Sequence, residues 1–452
     1  MKTFPEVLTV RPILSAAGEV PMPGSKSISN RALLLAALSS GRTELKGILR
    51  ADDTERMMES LRKLGVSVEI DEGNPESVTV EGCGGRFPVR SAELFLGNAG
   101  TAARPLTAAL ALAGGSYLLD GVERMRERPI GDLLVALRSL GAEIECLNRE
   151  GYFPLRIGER RSVSGKASCH ISGEVSSQFI TALLLSSPVY SGPEGLEIIV
   201  DGHLISRPYV LMTLKLMEQF GVHAEDQGDR FFVPHAEYRR GNPYLVEGDA
   251  SGASYFLALG ALSGPADGPG VRVTGVGRDS IQGDVQFAAF LERMGARIAW
   301  GENWIEARPP VSGKLHGIHA DCTEIPDAAM TLAAIGLMAE GETVLTGIGS
   351  WRVKETDRIA AMQAELSKFG ADVKTGDDWL SVTSPQKLLP AEVSTYKDHR
   401  MAMSLSLAAC GGVSVRILDP GCVSKTFPIL RSASSVRLRI LPTGTCSSEN
   451  CL

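Results

Sequence analysis

"LRKLGVSVEI", residues 61–70, decides the fold, because the chain repeats its shape. It returns as "LRSLGAEIEC" at 137–146, "LMEQFGVHAE" at 216–225, "LERMGARIAW" at 291–300 and "LSKFGADVKT" at 366–375. In each, a helical run ends on Leu, Met or Phe followed by glycine, and a short strand follows. A glycine suits a helix C-terminus because it takes the left-handed conformation without steric cost. Gly65, Gly141, Gly221, Gly295 and Gly370 recur roughly every 75 residues. That period is too long for a solenoid repeat and long enough for a small α/β unit.

A second series runs in step: "SNRALLLAALSSG", "GTAARPLTAALALAGG", "SSQFITALLLSSPV", "GASYFLALGALSG", "PDAAMTLAAIGLMAEG" and "HRMAMSLSLAACGG". Each is apolar nearly all round, which predicts a buried helix. Unit one reads in full as βαβαββ. "GEVPMP" is its first strand, "SNRALLLAALSS" a helix and "TELKGIL" a strand. "DDTERMMESLRKLG" is an amphipathic helix capped by Asp52 or Asp53, and "VSVEID" and "ESVTVEG" are the closing strands. Six such units fill the chain. The sixth is incomplete, because "ILRSASSVRLRILPTGTCSSENCL" after "KTFP" has no useful helical period. The surplus N-terminal strand "LTVRPIL" can complete it. Three units per domain predict one domain over 23–246 and a discontinuous one over 1–22 plus 247–452, with an altered tail at 429–452.

Composition excludes several classes. A net charge of −7 over 452 residues argues against nucleic acid as a bulk partner. No apolar run reaches the ~18 residues of a membrane span, and "MKTFPEVLTV" has no secretory or transit pattern. A cytoplasmic protein is the expectation. The eight cysteines are scattered without a C-x-x-C pair, so free thiols are expected rather than disulfides or zinc. The seven histidines are dispersed and form no metal motif.

Buried helices do not need charged starts, yet most of these have them. Unit one carries Lys26, Ser27 and Arg31; unit two carries Asn98, Gly100, Thr101 and Arg104; unit three carries Ser176, Ser177 and Gln178. Unit five carries Asp327, and unit six His399 and Arg400. Any single Ser, Thr or Asp there reads most simply as an N-cap. Capping does not account for the cations, which are unfavourable at a helix N-terminus unless an anion binds there. "WRVKETDR" adds Arg352, Lys354, Glu355, Asp357 and Arg358, and "VSKTFP" adds Lys425. Glu355 beside Lys354 suits proton transfer next to a bound phosphate. Arg124 and Arg126 read as a solvated face. "PMPGSKSIS" lacks the glycine spacing of a nucleotide-binding P-loop.

Together "PGSKSISNRALLLAAL", "LFLGNAGTAARPL", "RERPIGDL", "SSQFITALLL", "IPDAAMTLA", "WRVKETDR", "DHRMAM" and "KTFP" resemble the 5-enolpyruvylshikimate-3-phosphate (EPSP) synthase family from about residue 8 to 428. The resemblance implies a two-domain inside-out α/β barrel of six βαβαββ units, with helix ends pointing into an interdomain cleft. It implies transfer of the enolpyruvyl group of phosphoenolpyruvate to shikimate 3-phosphate, without cofactor or metal, by a monomer. Carried over by position, Ser27 and Arg31 would hold the shikimate carboxylate. Ser176, Ser177, Ser206 and Lys354 would hold its 3-phosphate, and Tyr209 would line the ring. Lys26, Asn98, Gly100, Arg128, Gln178, Arg358, His399, Arg400 and Lys425 would serve phosphoenolpyruvate, and Lys26, Gln178 and Asp327 would also face the shikimate substrate. Asp327 would act as base near the attacking hydroxyl. Glu355 would handle the methylene proton, assisted by Lys26. "GNAGTAARP", with Gly100, Thr101 and Pro105, is similar to the glyphosate-sensitive form, so glyphosate is the expected inhibitor.

Two departures stand out. Ser350 occupies a position where the family usually has Asn, with fewer donors toward the shikimate phosphate. The tail replaces an acidic, aromatic helix, so loss of that helix is expected while Lys425 is retained. A sister family that acts on UDP-N-acetylglucosamine carries a reactive Cys in the loop of unit two; here "GVERMRERPIGD" has none. A non-catalytic anion-binding protein on the same scaffold would not need Lys26, Asp327, Glu355 and Lys425 intact.

Overall fold

The computed structural model describes residues 5–162, 167–265, 267–427 and 438–442. The five repeat glycines all sit at left-handed dihedrals, with φ of 85° at Gly65, 87° at Gly141, 85° at Gly221, 100° at Gly295 and 89° at Gly370. At four of them the following amide reaches back five residues: Val66 to Leu61, Ala142 to Leu137, Val222 to Met217 and Ala296 to Leu291. This is the Schellman ending, which satisfies the last carbonyls of a helix.

The second series forms the helices Lys26–Leu38, Gly100–Ala113, Ser177–Tyr190, Ala250–Ser263, Ala329–Ile335 and His399–Ser406. In the first, every residue but Ser27 is buried. Ser25, Ser176, Asp249 and Asp398 cap their helices with side-chain oxygens. The Asp52–Lys63 helix differs from expectation. Its N-cap is Ala51, whose N–H donates to Thr54 Oγ1 at 3.1 Å. Asp52 and Asp53 lie in the first turn, where the helix dipole favours them.

The described residues form six sheets. Three share one plan. A strand runs parallel to the next across a buried helix, and two antiparallel strands follow, the last lying between its predecessor and the second; Ser91–Phe95, Ser116–Asp120, Ile144–Cys146 and Leu155–Ile157 are an example. Contacts divide the chain into two compact units, Gly24–Glu247 and Met1–Pro23 with Gly248–Leu452. In the first, the Lys26–Leu38, Gly100–Ala113 and Ser177–Tyr190 helices pack on one another. In the second, the Ala329–Ile335 helix packs on Ala250–Ser263 and His399–Ser406.

The opening strand of unit one is placed differently from the sequence reading. Ile13–Pro21, which contains most of "GEVPMP", pairs parallel with Val271–Thr274 in the sheet of unit four. Tyr244–Leu245 takes its place in unit one, parallel to Ser40–Lys46. Both strands precede a buried helix at similar spacing, so periodicity cannot say which sheet each joins. A glycine marks both crossings. A Cβ on Gly24 would stand 1.9 Å from the Gly47 carbonyl oxygen, and one on Gly248 would stand 2.8 Å from Met22 Cβ. The surplus strand Val7–Val10 pairs antiparallel with Val415–Leu418 and completes the sheet of unit six.

Of the tail, Arg439–Pro442 is a strand on the free edge of Ile13–Pro21. The expected loss of the last helix otherwise falls outside the described residues, as do Cys446 and Cys451. The six described cysteines are free, and burial pushes the Cys169 and Cys322 thiols up to about 12. Among the described residues no helix is long and apolar enough to cross a membrane, and no group of three or more His, Cys, Asp or Glu is placed to hold a metal ion.

Candidate active site

The Gly248–Leu452 segment gathers the acidic and basic residues of units five and six. Asp357 Oδ1 accepts the Ala360 N–H at 3.2 Å, which starts the Arg358–Ser367 helix and makes Arg358 its first residue. Arg358 is fully buried. Its Nε donates to Asp398 Oδ2 at 2.8 Å, its Nη2 to Glu355 Oε2 at 2.9 Å and its Nη1 to Asp327 Oδ1 at 3.0 Å. Burial alone would lower its pKa, but the charges of Asp398, Glu355 and Asp327 outweigh that and hold it above the usual value.

Asp327 precedes the Ala329–Ile335 helix, whose N-cap is Ala328, so its carboxylate does not act as a cap. It receives Arg358, Arg400 Nη2 at 3.2 Å and Lys354 Nζ at 3.4 Å. Burial would raise its pKa; Arg400, Lys354 and Arg358 together outweigh burial and hold it well below the usual carboxylate range. Glu355 Oε1 lies 3.4 Å from Lys425 Nζ. Asp398 caps the last buried helix by accepting the Arg400 N–H at 2.9 Å. Arg400 Nη1 donates to Tyr255 OH at 3.3 Å. Burial pushes that phenol up to about 12, partly offset by Arg400. His399 is fully buried with Nδ1 at 3.5 Å from Asp398. Four cations (Lys354, Arg358, Arg400, Lys425) thus face three carboxylates (Asp327, Glu355, Asp398), an excess of one positive charge. Ser350 lies in the Gly349–Val353 turn, and its Oγ is buried without a hydrogen bond to the described protein.

The Gly24–Glu247 unit holds cations of a different kind. Arg31 is 4% exposed. It donates to Thr213 Oγ1 at 2.9 Å, the Ser27 carbonyl at 3.0 Å, Thr181 Oγ1 at 3.3 Å and the Tyr209 carbonyl at 3.4 Å. All four acceptors are neutral, and burial pushes the guanidinium down to about 10. Arg128, 5% exposed, donates to Asn98 Oδ1 at 3.0 Å, and its Nε is buried without a partner among the described residues. A Cβ on Gly100 would stand 2.7 Å from Arg128 Nη2. Lys26 Nζ lies 3.6 Å from Asp53 Oδ2. A buried guanidinium served only by neutral acceptors favours an anionic ligand.

The structure therefore joins Asp327, Lys354, Glu355, Arg358, His399, Arg400 and Lys425 in one network. It joins Ser27, Arg31 and Tyr209 in another, and Asn98, Gly100 and Arg128 in a third. The Ser176 hydroxyl accepts the Gln178 N–H at 3.3 Å, so capping explains part of that site. Ser177 is buried in the first turn of the same helix. Ser206, 5% exposed, is held at φ 53°, a strained setting of the kind kept at functional positions. Arg124 and Arg126 pair with Glu127 and Asp120, the expected solvated face.

Sequence reasoning missed Asp398, Asp53, Tyr255, Thr181 and Thr213. Asp398 stands in the quoted "DHRMAM" stretch, where a buried second arginine partner was the available signal. The others lie inside apolar or amphipathic runs that mark only packing.

The family profile described as EPSP synthase (3-phosphoshikimate 1-carboxyvinyltransferase) matches residues 10–432. A 3-phosphoshikimate 1-carboxyvinyltransferase of Cupriavidus taiwanensis is 57% identical over 430 residues, covering 94% of this chain and 97% of that protein. One from Laribacter hongkongensis is 55% identical over 426 residues, with the same shares covered. The solved EPSP synthase of Acinetobacter baumannii superposes with a TM-score of 0.75 at 26% identity, covering 93% of this chain and 96% of that one. The chain belongs to the EPSP synthase (3-phosphoshikimate 1-carboxyvinyltransferase) family.

Proposed function

We propose that the chain transfers the enolpyruvyl group of phosphoenolpyruvate to the 5-hydroxyl of shikimate 3-phosphate and releases inorganic phosphate. Family membership supports this, and the observation that carries it is Asp327 held ionised among Arg358, Arg400 and Lys354 beside the Glu355–Lys425 pair. Both substrates carry a phosphate and a carboxylate, so they repel each other until cations offset them. Charge-assisted hydrogen bonds contribute about 1.5–3 kcal/mol each.

In the addition step the 5-hydroxyl oxygen attacks the enol carbon and its proton passes toward Asp327. Glu355, which takes up a proton from solvent as the substrate anions engage Arg358 and Lys425, delivers that proton to the methylene carbon, assisted by Lys26. In the elimination step a proton leaves the new methyl group for Glu355, the double bond re-forms and the carbon–oxygen bond to phosphate breaks. A carboxylate held by three cations is a weak base. Substrate anions draw charge from Arg358, Arg400 and Lys354, which raises the basicity of Asp327 when both substrates are bound.

Arg31 and Ser27 hold the shikimate carboxylate; Ser176, Ser177, Ser206, Ser350 and Lys354 serve the 3-phosphate; Tyr209 lines the ring. Lys26, Asn98, Gly100, Arg128, Gln178, Arg358, His399, Arg400 and Lys425 serve phosphoenolpyruvate, and Lys26, Gln178 and Asp327 also face the shikimate substrate. The finer fold in this reading is the inside-out barrel, acting as a monomer in the cytoplasm without cofactor, with glyphosate as inhibitor. The test is phosphate release from phosphoenolpyruvate with and without shikimate 3-phosphate. Release that depends on the second substrate is expected, and its absence refutes the assignment.

A further inference from the structure

Immediately before Asp398 in unit six, the backbone does something costly. Tyr396 and Lys397 lie consecutively at φ 53° and 57°. Neither is glycine, and a side chain in this conformation crowds its own backbone. The strain ends at Asp398, which is fully buried, receives Arg358 and caps the helix that carries Arg400. A strained turn next to a charged site persists only where its surroundings over-determine it.

The residue that holds it is Glu365, which lies two turns along the Arg358–Ser367 helix and is 1% exposed. Its Oε2 accepts the Ser394 N–H at 3.0 Å, just before the turn, and its Oε1 accepts the Tyr396 hydroxyl at 2.8 Å, inside it. Burial, reinforced by Glu365 itself, pushes the Tyr396 phenol up to about 12, so it stays a donor. Lys368 balances the Glu365 charge at 2.6 Å and also donates to the Glu392 carbonyl at 3.1 Å. One helix thus grips the segment 394–398 twice, at Asp398 through Arg358 and at Ser394 and Tyr396 through Glu365.

We infer that Glu365 is a positioning residue for the reaction proposed above, on which this inference rests. It touches no reacting atom. By clamping the strained turn it fixes Asp398 and, through it, sets the Arg400 guanidinium against Asp327 at 3.2 Å. Without the clamp the turn relaxes toward ordinary dihedrals, and Arg400 loses its aim at the phosphoenolpyruvate anion.

The test measures kcat and KM for phosphoenolpyruvate in the full chain by phosphate release. Glu365→Ala is expected to raise that KM about 10-fold with kcat within about twofold, the pattern of lost ground-state binding. Tyr396→Phe, which removes a single hydrogen bond at a half-exposed site, is expected to raise it about threefold and decides the matter if Glu365→Ala does not fold. The decisive variant is Lys397→Gly. Glycine adopts positive φ freely, so it should leave KM unchanged alone and recover most of the loss when combined with Glu365→Ala. If Glu365 serves only stability, melting temperatures fall while KM stays put in both single variants, and the inference is overturned. A raised KM that Lys397→Gly does not recover overturns it too. A wild-type chain with no release dependent on shikimate 3-phosphate would sink the functional reading and this inference together. An active wild type with unmoved KM sinks only the inference.

Discussion

Replacing Arg31 by methionine should separate binding from stability. The guanidinium is buried, its four acceptors are neutral, and burial pushes its pKa down to about 10. That fall corresponds to roughly 3 kcal/mol against the charged form. Methionine fills similar volume without this penalty. Four hydrogen bonds are lost, but the acceptors keep other partners. Thr181 and Thr213 face each other at 3.2 Å, and Thr213 Oγ1 donates to the Tyr209 carbonyl at 2.8 Å. The loss should therefore cost about 1–3 kcal/mol. Arg31→Met is expected to fold within about 2 kcal/mol of wild type, whereas stranding one partner of a buried ion pair costs about 3–5 kcal/mol. Binding behaves differently. A ligand carboxylate taking two charge-assisted bonds from Arg31 gains about 3–5 kcal/mol, so KM for shikimate 3-phosphate should rise about 10²- to 10³-fold. Urea denaturation gives the first quantity and phosphate-release kinetics the second. A variant that unfolds more than about 3 kcal/mol more easily, with that KM unchanged, would refute the argument that Arg31 waits for an anion.

Asp327→Asn should lower kcat by about 10²- to 10⁴-fold while calorimetry still detects binding of at least one substrate; undiminished turnover would remove Asp327 from the mechanism. Its depressed pKa also carries a pH signature. The stability it contributes is fully present above the unfolded value of about 4 and lost as pH falls below it, so the difference in urea midpoint between wild type and Asp327→Asn should shrink from pH 7 to pH 3. Gly100→Ala places a Cβ 2.7 Å from Arg128 Nη2 and 3.0 Å from Arg104 Nη1; the arginines must shift, and KM for phosphoenolpyruvate should rise about 10-fold with kcat nearly kept. Arg160 donates to the Leu140, Leu112 and Tyr190 carbonyls at 3.0, 3.3 and 2.8 Å, at the C-terminal ends of three helices. Arg160→Met should therefore destabilise by about 2–4 kcal/mol in urea titration without moving either KM.

Much of this architecture is written locally. The helix endings at Gly65, Gly141, Gly221, Gly295 and Gly370 are legible because a positive φ is a demand that a single residue type meets. The six buried helices are legible because few other settings tolerate an apolar surface all round. The placement of "GEVPMP" was not, since a strand's pattern reports which face is buried and not which neighbour it pairs with. The site divides the same way. Arg31, Asp327, Glu355 and Arg400 stood out as charges where capping needs none. Asp398 was not singled out, because the arginine it holds lies 40 residues earlier. Thr181 and Thr213 were invisible, since a hydroxyl inside a helix usually bonds its own backbone.

The exchanged strands also set a timetable for the growing chain. Ile13–Pro21 leaves the ribosome roughly 250 residues before Val271–Thr274, its partner, and Val7–Val10 roughly 400 residues before Val415–Leu418. At about 5–20 residues per second the first waits roughly 13–50 s and the second roughly 20–80 s. Gly24–Glu247 brings its own closing strand, Tyr244–Leu245, and can finish while the N-terminal segment is still unpaired. For that interval the earliest part of the chain is an open β edge, the kind of surface that recruits other chains. Its sequence, "VLTVRPILSAAGEVPMP", is broken by Arg11, Pro12, Gly18, Glu19 and Pro21. Charges and prolines of this sort discourage intermolecular pairing, so the segment that must wait longest to be used is also built to wait safely.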